Sequence, residues 1–175
     1  MQPTLWPTFL FCVSFAAVCQ AQQQPNLKAQ RDAMKKLEFL VGKWSGPAQV
    51  SRGPGDPIRL VQSESIQFKL DGLVMLVEGT GRGTGGQVVF QAMATISYDD
   101  SISVYHFRSH SDGRYLDTEL KVTLNGFVWG YEAGPLKVTN TMRLNDKGEW
   151  AETTESAFGS NPPRKSVEMT LQRQP

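Results

Sequence analysis

Leu37-Glu38-Phe39-Leu40-Val41-Gly42-Lys43-Trp44-Ser45-Gly46 is the stretch whose reading decides the fold of this chain. Ahead of it and into it, Leu27, Met34, Leu37 and Val41 recur at helical spacing, with Lys28, Arg31, Asp32, Lys35 and Lys36 between them. That pattern predicts a helix over Leu27–Val41 with one apolar stripe in need of a partner. Gly42 is a natural stop for it. Beyond Gly42 the apolar period changes from helical to two, and Trp44 stands between two glycines on what reads as a first β-strand.

Working outward, the rest of the chain reads as strands near Lys43–Arg52, Ile58–Leu70, Leu73–Gly81, Gln87–Tyr98, Ser101–His110, Arg114–Leu124, Phe127–Ala133, Leu136–Leu144, Trp150–Phe158 and Ser166–Arg173. Turn chemistry separates them: Asp71-Gly72, Asp112-Gly113, Asn125-Gly126, Gly134-Pro135 and Asp146-Lys147-Gly148. Asp-Gly and Asn-Gly suit hairpins because the central positions need positive φ. Leu116, Thr118, Leu120 and Val122 share one face, as do Leu136, Val138, Asn140 and Met142, and Val167, Met169, Leu171 and Arg173. Such alternation marks strands with one dry face and one wet face. The expected fold is all-β: an antiparallel up-and-down barrel of about ten strands, with the helix at one end.

At 175 residues and a net charge of +1, the chain fits one domain plus a leader. No basic face or run stands out, which argues against a nucleic-acid partner. Leu5 through Val18 are mostly apolar, too short a run for a comfortable membrane span, and Cys19-Gln20-Ala21 supplies small residues where a signal peptidase reads. The expectation is therefore a signal peptide over 1–21, a linker and helix start over 22–33, and the barrel over 34–175. It carries with it export to the periplasm or the extracellular space, with no membrane span once the leader is removed. Both cysteines, Cys12 and Cys19, fall inside the leader, so the mature chain has no thiol for a disulfide, a zinc thiolate or a nucleophile. Lipidation at Cys19 is the minority alternative to cleavage after Ala21, because Val18 is bulky where a lipobox wants a small residue.

A helical turn ending in Gly42-Lys43-Trp44-Ser45-Gly46 on the first strand of a meander resembles the calycin superfamily of lipocalins, fatty-acid-binding proteins and nitrobindin-like barrels. The longer string Met34–Gly46, together with Ile96-Ser97-Tyr98-Asp99, is similar to an exported bacterial family of unknown function with a lipocalin-like barrel, DUF1579. The resemblance implies that Trp44 packs across the closed end against an Arg from a late strand, and Arg173 meets that role by parity. Nitrobindin-like relatives bind haem through a His late in the chain. Here no His follows His110, so haem is disfavoured and no cofactor is expected.

A barrel of this size can enclose a small ligand. The candidate polar anchors are Glu64, His106, Arg108 and Glu152, with Phe68, Leu120, Met142 and Trp150 as the apolar wall. Gln62, Asn140 and Thr154 share the inward parity. The strand Ser101–His110 is ambiguous, because either His106 and Arg108 or Tyr105 and Phe107 point inward. His106 and His110 cannot chelate one ion together, since four residues of strand separate them by roughly 13 Å. Gly81-Arg82-Gly83-Thr84-Gly85-Gly86 has dinucleotide-loop spacing, but a strand follows it where that motif needs a helix, so it reads as a rim hairpin. The leading expectation is a module binding a small, partly apolar molecule. An enzyme using His106 as acid–base group and Arg108 to steady an anion is one alternative. An envelope protein acting through its surface is the other.

Overall fold

The structure, a computed structural model, describes residues 24–53 and 55–175. The expected signal peptide and both cysteines lie outside the described residues. Among the described residues no helix is long and apolar enough to cross a membrane.

Ten antiparallel strands close into one barrel. They are β1 Gly42–Val50, β2 Ile58–Lys69, β3 Val74–Arg82, β4 Val88–Asp99, β5 Val104–Ser111, β6 Arg114–Thr123, β7 Gly126–Ala133, β8 Leu136–Leu144, β9 Trp150–Phe158 and β10 Arg164–Gln174. Each strand pairs with its sequence neighbours, and β1 also pairs with β10 to complete the circle. Closure leaves no sheet edge among these strands, which removes the usual site of strand-to-strand aggregation. The ladder between β6 and β7 is the short one: only Leu120–Thr123 and Gly126–Trp129 pair. Beyond it the two strands are joined by the Thr118 hydroxyl, which donates to the Gly130 carbonyl at 2.6 Å.

The expected helix over Leu27–Val41 is shorter. Helix α1 spans Leu27–Lys35 and a 3-10 turn follows at Glu38–Leu40. Asn26 caps α1, its side chain accepting from the Ala29 N–H at 3.0 Å. The break has a tertiary cause. Met34, Leu37 and Leu40 are fully buried as a plug in the end of the barrel, and a straight helix would turn part of that stripe away from it. Polar ties fasten α1 to the closed-end turns. Gln30 Nε2 donates to Asp100 at 2.6 Å, Arg31 pairs with Asp71 at 2.7 Å, and the Tyr105 hydroxyl donates to the Ala33 carbonyl at 2.8 Å.

Trp44 stands at the centre of the closed end. It is 1 % exposed, and its indole N–H donates to the Leu40 carbonyl at 2.7 Å. Trp150 meets it edge-on at 5.8 Å between ring centroids. The Arg173 guanidinium lies over its face at 4.2 Å and donates to the Phe39 and Val41 carbonyls, left free at the end of the 3-10 turn. The two glycines around Trp44 now have reasons. Gly42 has φ +129°, and a Cβ there would lie 2.7 Å from Arg173 Nη1. A Cβ on Gly46 would lie 2.1 Å from the Thr170 carbonyl oxygen, so only glycine lets β1 and β10 approach so closely.

Candidate functional site: a barrel cavity with an acidic inner end

Strand alternation sends every second side chain into the barrel, and those inner side chains do not fill it. Near the closed end the large apolar residues Ile66, Met75, Leu120, Met142 and Leu171 pack with Trp44 into a solid core. Toward the other end the inward positions shrink to Ala48, Gly79, Ala92, Ser109 and Ser156, and a cavity of about 740 Å³ opens. It runs from Leu40 and Trp150 at its floor toward the strand ends at Val50, Ser111 and Leu136. Much of its wall is aromatic, with Phe107 stacked on Trp129 at 4.9 Å.

One side of the inner end is polar. Gln62 and Glu64 project from β2, and Asn140, Glu152 and Thr154 from β8 and β9. Gln62 Nε2 donates to Glu64 Oε1 at 2.7 Å. Asn140 Nδ2 donates to Glu152 Oε1 at 2.7 Å and to the Thr154 hydroxyl at 2.9 Å. The Trp150 indole N–H donates to Glu152 Oε2 at 2.8 Å. Asn140 is 1 % exposed, yet its Oδ1 accepts no hydrogen bond. Neither Glu64 nor Glu152 forms an ion pair with Lys, Arg or His among the described residues.

Burial without a counter-charge has the expected electrostatic result. Burial pushes the Glu64 carboxyl up, the Gln62 hydrogen bond pulls it down, and the Glu152 charge raises it further, for a net value of about 7. Burial likewise raises Glu152 well above the usual carboxylate range, against the opposing hydrogen bonds from Asn140 and Trp150. Two glycines of β3 make room for this arrangement. A Cβ on Gly79 would sit 2.9 Å from both Glu64 carboxyl oxygens, and one on Gly81 would sit 2.9 Å from Gln62 Oε1.

The candidate residues separate into three groups. Glu64, Trp150 and Glu152 line the cavity. Phe68, Leu120 and Met142 belong to the packed apolar interior and not to the cavity wall. An inward facing of His106 and Arg108 is corrected: the opposite facing of the strand is observed. Phe107 is buried and lines the cavity, while Arg108 pairs with Asp117 at 3.0 Å and His106 Nδ1 lies 4.0 Å from the same carboxylate on the outer wall. Partial burial pushes the Asp117 carboxyl up, but hydrogen bonds from Arg108 and Tyr115 outweigh it and hold the group below its ordinary value. Ile102 lies in the turn before the strand and is 61 % exposed. Ser103 takes φ +59° in that turn, and β5 begins only at Val104. Placing Phe107 against Trp129 and leaving the cation in water costs less than the reverse.

Trp129 and Phe90 are cavity residues that no sequence signal singled out, and Phe107 was named only as one of two possible inward facings. The aromatic alternation Phe127–Trp129–Tyr131 was a signal for one face of β7, but nothing in it told a packed core from a cavity wall. Among the described residues no group of three or more His, Cys, Asp or Glu side chains is placed to hold a metal ion.

No family model matches the chain, and no curated protein does either. Among solved structures it is similar to the crystal structure of Rv2717c from M. tuberculosis, at a TM-score of 0.62 and 12 % identity. That likeness covers 82 % of this chain and 98 % of that one, and at such low identity it is a likeness of fold.

Proposed function

We propose that this protein is an exported calycin-type barrel that holds a small, partly apolar molecule in its interior. One observation carries the reading: a cavity of about 740 Å³ with an aromatic and aliphatic wall and a few convergent polar groups at one end. Ligand sites commonly combine these features, the wall supplying affinity and the polar groups orientation. The resemblance of Met34–Gly46 to the lipocalin-like families supports the same reading, and the apolar leader over 1–21 supports export. The outward position of His106 and Arg108 weighs against the particular enzymatic reading built on those two residues.

Native mass spectrometry of the protein purified from its own host tests the proposal. The expected result is a reproducible small-molecule adduct on the folded protein, lost on denaturation. A consistently ligand-free protein that also takes up no apolar probe would overturn it in favour of a protein acting through its surface. N-terminal sequencing of the same sample tests export, with Gln22 expected as the first residue and a lipid-modified Cys19 as the competing outcome.

A further inference from the structure

The inner end of the cavity has a composition that its apolar wall does not require. Its N–H donors are largely spent: Trp150 on Glu152, both Asn140 hydrogens on Glu152 and Thr154, and Gln62 on Glu64. What remains is mainly acceptors, namely the free lone pairs of both carboxyls and the buried Asn140 Oδ1 that accepts nothing. The Thr154 hydroxyl hydrogen and the second Gln62 N–H are the side-chain donors left over. Among the described residues no cation faces this end. Around Glu64 the inward positions of β1, β3 and β10 carry Trp44, Ala48, Val77, Gly79, Met169 and Leu171. Arg173 is engaged over the far face of Trp44. Arg52 is the basic residue along the cavity, and it stands past the end of β1 at the mouth.

Resting on the binding reading above, we infer that the cavity selects an apolar amine, its protonated nitrogen seated between Glu64 and Glu152 and its hydrocarbon body along Phe107 and Trp129. An ammonium brings three donors and a positive charge, which are the two things this end lacks. A carboxylate or phosphate head would bring negative charge to two carboxyls that have no cation to balance it. A neutral alcohol would offer one donor and no charge. The raised Glu64 carboxyl follows from the same geometry, since a buried acid with no counter-ion resists ionisation and a cation placed beside it would favour the charged form.

Decylamine, decanol and decanoic acid, all below their aggregation concentrations, separate the possibilities when titrated into the purified protein by calorimetry at pH 8. The three probes share one chain and differ only in the head. Decylamine is expected to bind at least tenfold more tightly than decanol, and decanoate more weakly than either. Equal or tighter binding of decanol or decanoate would overturn the amine inference while leaving the binding reading intact. Absence of binding by all three, with no adduct by native mass spectrometry, would overturn the binding reading itself. Glu64→Gln and Glu152→Gln, which keep size and shape, are each expected to cut the preference for decylamine over decanol about tenfold while decanol binding persists. An unchanged preference in both would overturn the assignment. The ranking on the unaltered protein stands by itself should either variant fold poorly.

Discussion

The two halves of the barrel resolve their polar groups in opposite ways. At the closed end, Arg173 is a cation with no acid beside it, yet its N–H groups are met by the Phe39 and Val41 carbonyls and its charge by the Trp44 ring. At the inner end of the cavity, Glu64 and Glu152 are acids with no cation beside them among the described residues, and a neighbouring buried acceptor, Asn140 Oδ1, goes unmet. The closed end is finished and packed, with Met34, Leu37, Leu40 and Trp44 almost wholly out of water. The cavity end is unfinished in a directed sense, because what it lacks has one sign of charge and one hydrogen-bonding role. The complete half serves stability, and the incomplete half is where the proposed ligand would sit.

The largest way to break this comparison is Trp44→Ala. Removing a buried indole that meets Trp150 and Arg173 is expected to cost about 3–5 kcal/mol, measured by urea denaturation. A loss below about 1 kcal/mol would show that the closed end is not where stability resides.

Next in size is the pH dependence that Glu64 imposes. Its carboxyl keeps its proton up to about 7 in the fold, against an ordinary value of 4.5. Between those values the folded protein holds a proton that the unfolded chain has released, so stability falls as pH rises. Below the lower value both states are protonated and nothing is lost. Above the upper one the whole cost remains, about 3 kcal/mol for a shift of this size. Glu64→Gln should flatten the slope between pH 4.5 and 7, and a slope unchanged in that variant would sink the attribution to Glu64.

Gly79→Ala sharpens the comparison at an intermediate size. Its Cβ falls 2.9 Å from both Glu64 oxygens, so the carboxyl must move, at a cost of about 1–2 kcal/mol in stability. Decylamine affinity should drop while the closed end, read by near-ultraviolet circular dichroism of Trp44 and Trp150, is unaltered.

The smallest expected effect is at the outer wall. Replacing His106 and Arg108 together by alanine removes the water-exposed pair of Arg108 with Asp117 and the His106 contact to the same carboxylate, worth under about 1 kcal/mol. Ligand binding should not change, and a loss of binding would return those residues to the site.

Much of the architecture was legible because it depends on local signals. The period of two, the Asp-Gly and Asn-Gly turns and the inward parity of Leu136–Leu144 lead to ten antiparallel strands, and ten are observed. Hairpin connections leave few other ways to pair successive strands. The break of the helix after Lys35 was not legible, because burying Met34, Leu37 and Leu40 together in the barrel end decides it. The facing of β5 was not legible either, since that strand carries large side chains on both faces. The observed pairing sets Phe107 opposite Ile96 and Arg108 opposite Asp117, contacts that no local pattern announces.

By itself, then, the sequence determined a closed antiparallel meander and the inward parity of Gln62, Glu64, Asn140 and Glu152, because alternation and turn chemistry act over a few residues at a time. Only the tertiary structure decided that these four meet at one end of an unfilled space while Leu120 and Met142 are packed into the core and Phe68 lies partly buried against it. Whether an inward side chain meets a neighbour or a void depends on the sizes of residues from several distant strands, and no single strand encodes that sum.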